Sequence, residues 1–123
     1  MAGCTAAGRR VAKGSAGEMT ARSGRVSYQV TATVEPQLVG DFERFMVEDH
    51  IPALMATGCF GSAAIARLGP GRYRMRYEAD TRAELDRYLE TEAMRVRREF
   101  TARFPSGIAL EREVGEVLGE WAE

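Results

Sequence analysis

From Val26 onward apolar and polar residues alternate: Val26, Tyr28, Val30, Ala32 and Val34 are separated by Ser27, Gln29, Thr31 and Thr33. A period of two puts the apolar set on one face of a strand, so this segment reads as a first strand with one face buried. The period then changes. Leu38, Phe42, Phe45 and Met46 recur at i, i+4, i+7 and i+8 behind Pro36, a residue tolerated in a first helical turn, and they predict a helix from about Pro36 to Asp49. Pro52 disfavours helical geometry at Ile51, so the expectation is that this helix stops there. A short second turn over Ile51 to Thr57 then ends at Gly58, with Leu54 and Met55 plugging one end of the core.

Phe60 to Leu68 reads as a second strand, and Gly69-Pro70-Gly71 is a turn signal leading into Arg72 to Ala79. In that third strand Tyr73, Met75, Tyr77 and Ala79 alternate with Arg72, Arg74, Arg76 and Glu78, which gives its two faces opposite chemistry. Thr81 and Glu84 have the spacing of a capping box, and Leu85, Tyr88, Leu89, Ala93, Val96 and Phe100 form the stripe of a helix over Arg82 to Arg103. Pro105, Ser106 and Gly107 stop it. Ile108, Leu110 and Val114 then predict a short last strand, and Val117, Leu118 and Trp121 a final helical turn. The order β-α-β-β-α-β is the ferredoxin-like α+β arrangement, a four-stranded antiparallel sheet with two helices on one face. Residues 1–24 carry few large apolar side chains and read as a disordered tail, so the single domain is expected over residues 25–123. Met19 is an alternative start to Met1.

Composition narrows the partners without choosing one. The formal charge is −1, with Lys13 the one lysine, so no net field draws the chain to nucleic acid or an anionic membrane. No apolar run reaches the roughly 18–20 residues of a membrane span, and no secretory signal is present, so the reading is a cytoplasmic protein. Cys4 and Cys59 offer neither a disulfide framework nor metal-ligand spacing, and with one histidine no zinc site is expected. Cys59, just after Gly58, reads as a buried thiol.

Phe45-Met46, His50-Ile51-Pro52, Met55-Ala56-Thr57-Gly58 and Phe60 form a distinctive run, followed by Tyr77, Asp86-Arg87-Tyr88-Leu89 and Arg103-Phe104-Pro105. In these residues the chain resembles a bacterial family, domain of unknown function 4286, over about residues 26 to 118. The resemblance implies a small ferredoxin-like protein similar to the dimeric α/β-barrel superfamily. It implies a homodimer paired sheet to sheet, and it brings no activity or catalytic residue with it.

His50 is the one side chain whose ordinary pKa suits proton transfer near neutrality, with Glu48 or Asp49 available to orient its ring. The plainer reading is a histidine satisfying carbonyls at the end of the first helix. Arg74 and Arg76 share a sheet face with Gln29, Thr31 and Thr33, and Glu111 and Glu113 belong to the same face beyond the first strand. Arg74, Arg76 and Thr31 are thus candidates to hold a small anionic ligand, against the plainer reading of a solvated face or dimer seam. Tyr73 and Tyr77 share Met75's side and must cover the helices, which argues against base stacking and so against nucleic acid. No cofactor is implied. The sequence suggests a non-catalytic small-molecule-binding or regulatory dimer. Its alternative is a cofactor-free enzyme of the monooxygenase or isomerase type acting on a small aromatic or acidic metabolite, favoured only where one pocket joins His50 to Arg74 or Arg76.

Overall fold

In a computed structural model, which describes residues 24–122, the alternating segment Val26–Val34 is a strand, β1. The reading of residues 1–24 as a tail, and the choice between Met1 and Met19, fall on residues outside this range apart from Gly24. The other strands are β2 (Ser62–Gly69), β3 (Arg72–Ala79) and β4 (Ile108–Glu116). They form one antiparallel sheet in the order β2-β3-β1-β4. The helical segments α1 (Val39–Phe45), α2 (Ile51–Ala56), α3 (Arg82–Thr91) and α4 (Ala93–Arg103) lie on one face, completing the ferredoxin-like βαββαβ arrangement.

The pleat decides what is buried. Tyr28, Val30 and Ala32 of β1 and Tyr73, Met75 and Tyr77 of β3 point to the helices, each at 8 % exposure or less. Phe42, Leu54, Leu85, Val96 and Phe100 meet them from the helical layer. The aromatic rings fall into two groups. Tyr28, Phe60, Tyr77 and Tyr88 pack within 6.2 Å centroid to centroid at one end. Phe42, Phe45, Phe100 and Phe104 pack within 6.4 Å at the other.

Five expectations are corrected. The first helix does not stop at Asp49: Ile51 keeps helical φ −65° and ψ −43°, and its N–H donates to the Met46 carbonyl five residues back. Met46–His50 is therefore a π turn joining α1 to α2. Proline's ring collides with the carbonyl four residues before it and supplies no N–H, and the wider turn relieves both problems at Pro52 without ending the helix. The second helix is divided at Glu92, whose φ of −117° departs from helical values. Thr91 donates its hydroxyl to the Arg87 carbonyl at 2.7 Å, a back-bond that bends helices. The last strand is not short, because β4 pairs with β1 from Val34↔Ile108 to Val26↔Glu116. Backbone pairing along the free edge of β1 extends it past the point where side-chain alternation fades. Val117 to Trp121 form no helical turn; the Val117 N–H instead donates to the Arg25 carbonyl at 3.0 Å. The second strand also starts later than Phe60, which stacks on Tyr28 ahead of it.

Other readings hold to the residue. Thr81 accepts from the Glu84 N–H at 3.2 Å, so the capping side chain starts α3. Cys59 is a free, buried thiol. Glu43 of α1 accepts hydrogen bonds from the Tyr73 hydroxyl and from Arg67 of β2 at 2.8 and 3.0 Å, tying the helix to two strands.

Phe42 is fully buried and touches Tyr73 at 4.9 Å, with Phe100 and Phe104 beyond, so it joins α1, α4 and the sheet. Phe42→Ala is expected to lower the unfolding free energy by about 3–5 kcal/mol. Urea denaturation measures it, and a loss below about 1 kcal/mol would show that the helical layer closes over the gap.

Candidate functional site

His50 is carried inward by the π turn, and its ring packs 5.7 Å from Phe45 and 5.4 Å from Phe100. It caps no helix end, because the helix runs on through Ile51. Glu48 and Asp49 are exposed, and neither bonds to the ring among the described residues. Next to His50, between the two aromatic groups, lies a cavity of about 70 Å³. Val30, Met46, Leu54, Met75 and Val96 supply its apolar wall. Polar groups converge from every layer: Tyr28 and Tyr77 from the sheet, Tyr88 from α3, Arg97 and Thr101 from α4, and Arg112 from β4.

Burial dominates the electrostatics. It pushes the His50 pKa from 6.5 down to about 4, with Arg112 acting the same way and Glu99 opposing. Desolvation prevails because Glu99 is itself engaged with Arg95 at 3.4 Å. Burial likewise raises the phenols of Tyr77 and Tyr88, so at neutral pH both are uncharged hydroxyls. Arg97 donates to the Tyr28 hydroxyl at 3.3 Å, which fixes one guanidinium at the cavity.

Arg74, Arg76 and Thr31 lie on the other side of the sheet. Register pairs Thr31 with Arg74 and Gln29 with Arg76 on one edge of β1, and with Glu111 and Glu113 on the other. The open face therefore carries a basic row and an acidic row with β1 between them, about 10 Å apart at two strand spacings. Arg76 approaches Glu78 at 3.8 Å, whereas Arg74, Glu111 and Glu113 have no ion-pair partner among the described residues. At one end Arg25 bonds Glu120 at 2.9 Å and reaches Glu78 and Asp80, and Ser27 beneath it is buried. Among the described residues no pocket joins His50 to Arg74 or Arg76, since the sheet stands between them.

Arg97 and Arg112 are the functional candidates that sequence reading passes over. Arg112 has the parity of Ile108, Leu110 and Val114, and a charge on the helix-facing side of a strand is a signal readable without coordinates. Arg97 is concealed among the arginines of α4, and the stripe Ala93, Arg97, Thr101 marks it as a neighbour of the buried face.

The family described as "Domain of unknown function (DUF4286)" matches residues 25–118. The chain belongs to that family. Among solved structures it is similar to one described as "Crystal structure of a conserved protein from Methanosarcina mazei Go1", with a TM-score of 0.60 and 14 % identity. That match covers 80 % of this chain and 95 % of the other, and at this identity it concerns the fold alone. No curated protein matches the chain. Among the described residues no helix is long and apolar enough to cross a membrane, and no cluster of three or more His, Cys, Asp or Glu side chains is placed to hold a metal ion.

The half-buried histidine makes stability depend on pH. Above pH 6.5 His50 is neutral whether the chain is folded or not; below it the unfolded chain takes the proton first, and stability falls until the folded pKa near 4 is reached. Over that window the wild type is expected to lose about 3 kcal/mol more than His50→Leu. Urea titrations of both proteins at pH 7 and pH 4 measure the difference, and parallel losses would mean that His50 protonates freely in the folded state.

Proposed function

We propose that this family member is a non-catalytic small-molecule-binding protein that works as a homodimer, with its ligand in the cavity beside His50. The observation that carries the binding reading is the cavity itself: an apolar wall with neutral hydroxyls, a neutral imidazole and two guanidiniums converging on it. Such a combination of apolar lining and a few placed polar groups is the usual character of a ligand site. Catalysis by His50 is disfavoured on two grounds. A base with a pKa near 4 gives up most of its proton-transfer driving force at neutral pH, and no carboxylate orients the ring. A neutral imidazole instead offers one donor and one acceptor for positioning a bound molecule.

The dimer reading rests on the open sheet face. A two-fold axis along β1 exchanges the sides on which β3 and β4 lie while keeping height along the strands, so Arg74 faces the second copy's acidic row at the height of Glu111, and Arg76 at that of Glu113. Packed sheets stand about 10 Å apart, a gap that an extended arginine and glutamate bridge together. Ala64 and Ala66 of β2 share this face and keep it low. Arg74, Arg76 and Thr31 then serve the subunit contact, and the ligand is left to the helix-side cavity.

Native mass spectrometry of protein purified without denaturation is expected to give twice the chain mass plus a small-molecule mass. A bare monomer overturns both halves of the reading, and a dimer without added mass removes the binding half. Charge reversal tests the contact separately. Arg74→Glu/Arg76→Glu and Glu111→Arg/Glu113→Arg should each weaken self-association at least about tenfold, while an equal mixture of the two pairs again. Sedimentation velocity reads all three samples, and two variants that remain dimers alone would place the contact on another face.

A further inference from the structure

We infer that the cavity beside His50 takes a short aliphatic carboxylate, its anionic head held by Arg97 and Arg112 and its hydrocarbon chain inside. The inference rests on the reading of this cavity as the binding site and names what it binds.

Charge selects the head group. Arg25, Arg44, Arg67, Arg82, Arg87 and Arg95 all make ion pairs within the chain. Arg72, Arg74, Arg97, Arg98 and Arg112 have none among the described residues, and of these Arg97 and Arg112 line the cavity. They arrive from different elements, α4 and β4, and line the same cavity from its exposed side. A guanidinium presents a planar fork of donors that matches a carboxylate in two parallel hydrogen bonds. The Tyr28 hydroxyl, accepting from Arg97, holds one of these forks in place before any ligand arrives. His50, Tyr77 and Tyr88 are neutral at pH 7 and set no negative charge against the anion.

The walls and the volume select the rest of the molecule. Val30, Met46, Leu54, Met75 and Val96 form a wall without polar partners, so the part of the guest lying against them is hydrocarbon. A cavity near 70 Å³ has under half the roughly 150 Å³ that accommodates benzene. An aromatic ring is thus too large without movement of the helices, and a chain of about three or four carbons fits. Two flexible methionines, Met46 and Met75, allow the wall to settle around an unbranched chain.

Sodium butyrate and butyramide, which differ in the charge of the head group, are the probes, titrated into the full chain. The methyl resonances of Met46 and Met75 report events inside the cavity. Butyrate is expected to shift both in a saturable way and to bind at least about tenfold more tightly than butyramide. In Arg97→Gln/Arg112→Gln that preference should vanish while the ligand-free methyl spectrum stays as in the wild type, which shows the variant folded. Equal binding of the two probes, or a preference that survives in the variant, overturns the carboxylate and leaves the cavity as the binding site. Methyl resonances unmoved by either probe overturn the carboxylate and the cavity together.

Discussion

β1 is hydrogen-bonded along both edges, to β3 and to β4, so its pleat cannot slip by one residue without driving Tyr28, Val30 and Ala32 out of the core. The slip would also bury Gln29, Thr31 and Thr33, whose polar groups find no partners among the core side chains. Because β3 and β4 are registered against β1, the same constraint settles where their charges go. Arg74 and Arg76 are committed to the open face, Glu111 and Glu113 join them there, and Arg112 is committed to the helical side. The division between a charged open face and a helix-side cavity is thus a consequence of strand register. It also explains why His50, held in the helical layer, never meets the basic row of β3.

Burial has a second consequence at the cavity. A histidine that loses its hydration without gaining a carboxylate partner relinquishes its proton, and the shift to about 4 is the size of that imbalance. Glu99 pulls the other way too weakly to restore the charge, being exposed and shared with Arg95. The outcome is a site whose positive charge sits entirely on Arg97 and Arg112 at its edge while its interior is neutral. That separation suits an amphipathic guest better than a reaction needing a proton carried inward and back.

Most of the fold was legible because its signals are local. The alternation of β1 and β3, the Gly69-Pro70-Gly71 turn and the Thr81 cap each involve residues adjacent in the chain, and each is found where the pattern puts it. What escaped depends on partners far away. The length of β4 is set by the open edge of β1, and its own sequence, Glu-Arg-Glu-Val-Gly-Glu at the end, barely alternates. The bend at Glu92 comes from one hydroxyl choosing a carbonyl. His50 was identifiable by its uniqueness, but its surroundings were not, since the cavity exists only where two aromatic groups from five elements fail to touch.

The π turn aligns the site. Along α1, the turn and α2, Phe42, Met46, His50 and Leu54, spaced by four, reach the core or the cavity, with Val39, Phe45, Ile51 and Met55 packed beside them. In a regular α-helix each step of four overshoots a full revolution by about 40°, so three steps would carry Leu54 about 120° around the axis from Phe42. A π turn uses more residues per revolution and rotates less with each, which takes out much of that drift. Met46, His50 and Leu54 can then line one cavity from a single helical rod. Pro52 makes this geometry the favourable one, since the regular alternative would press its ring against the carbonyl of Glu48. The residue that, on sequence grounds, was expected to end the helix instead fixes the turn that aims His50 at the cavity.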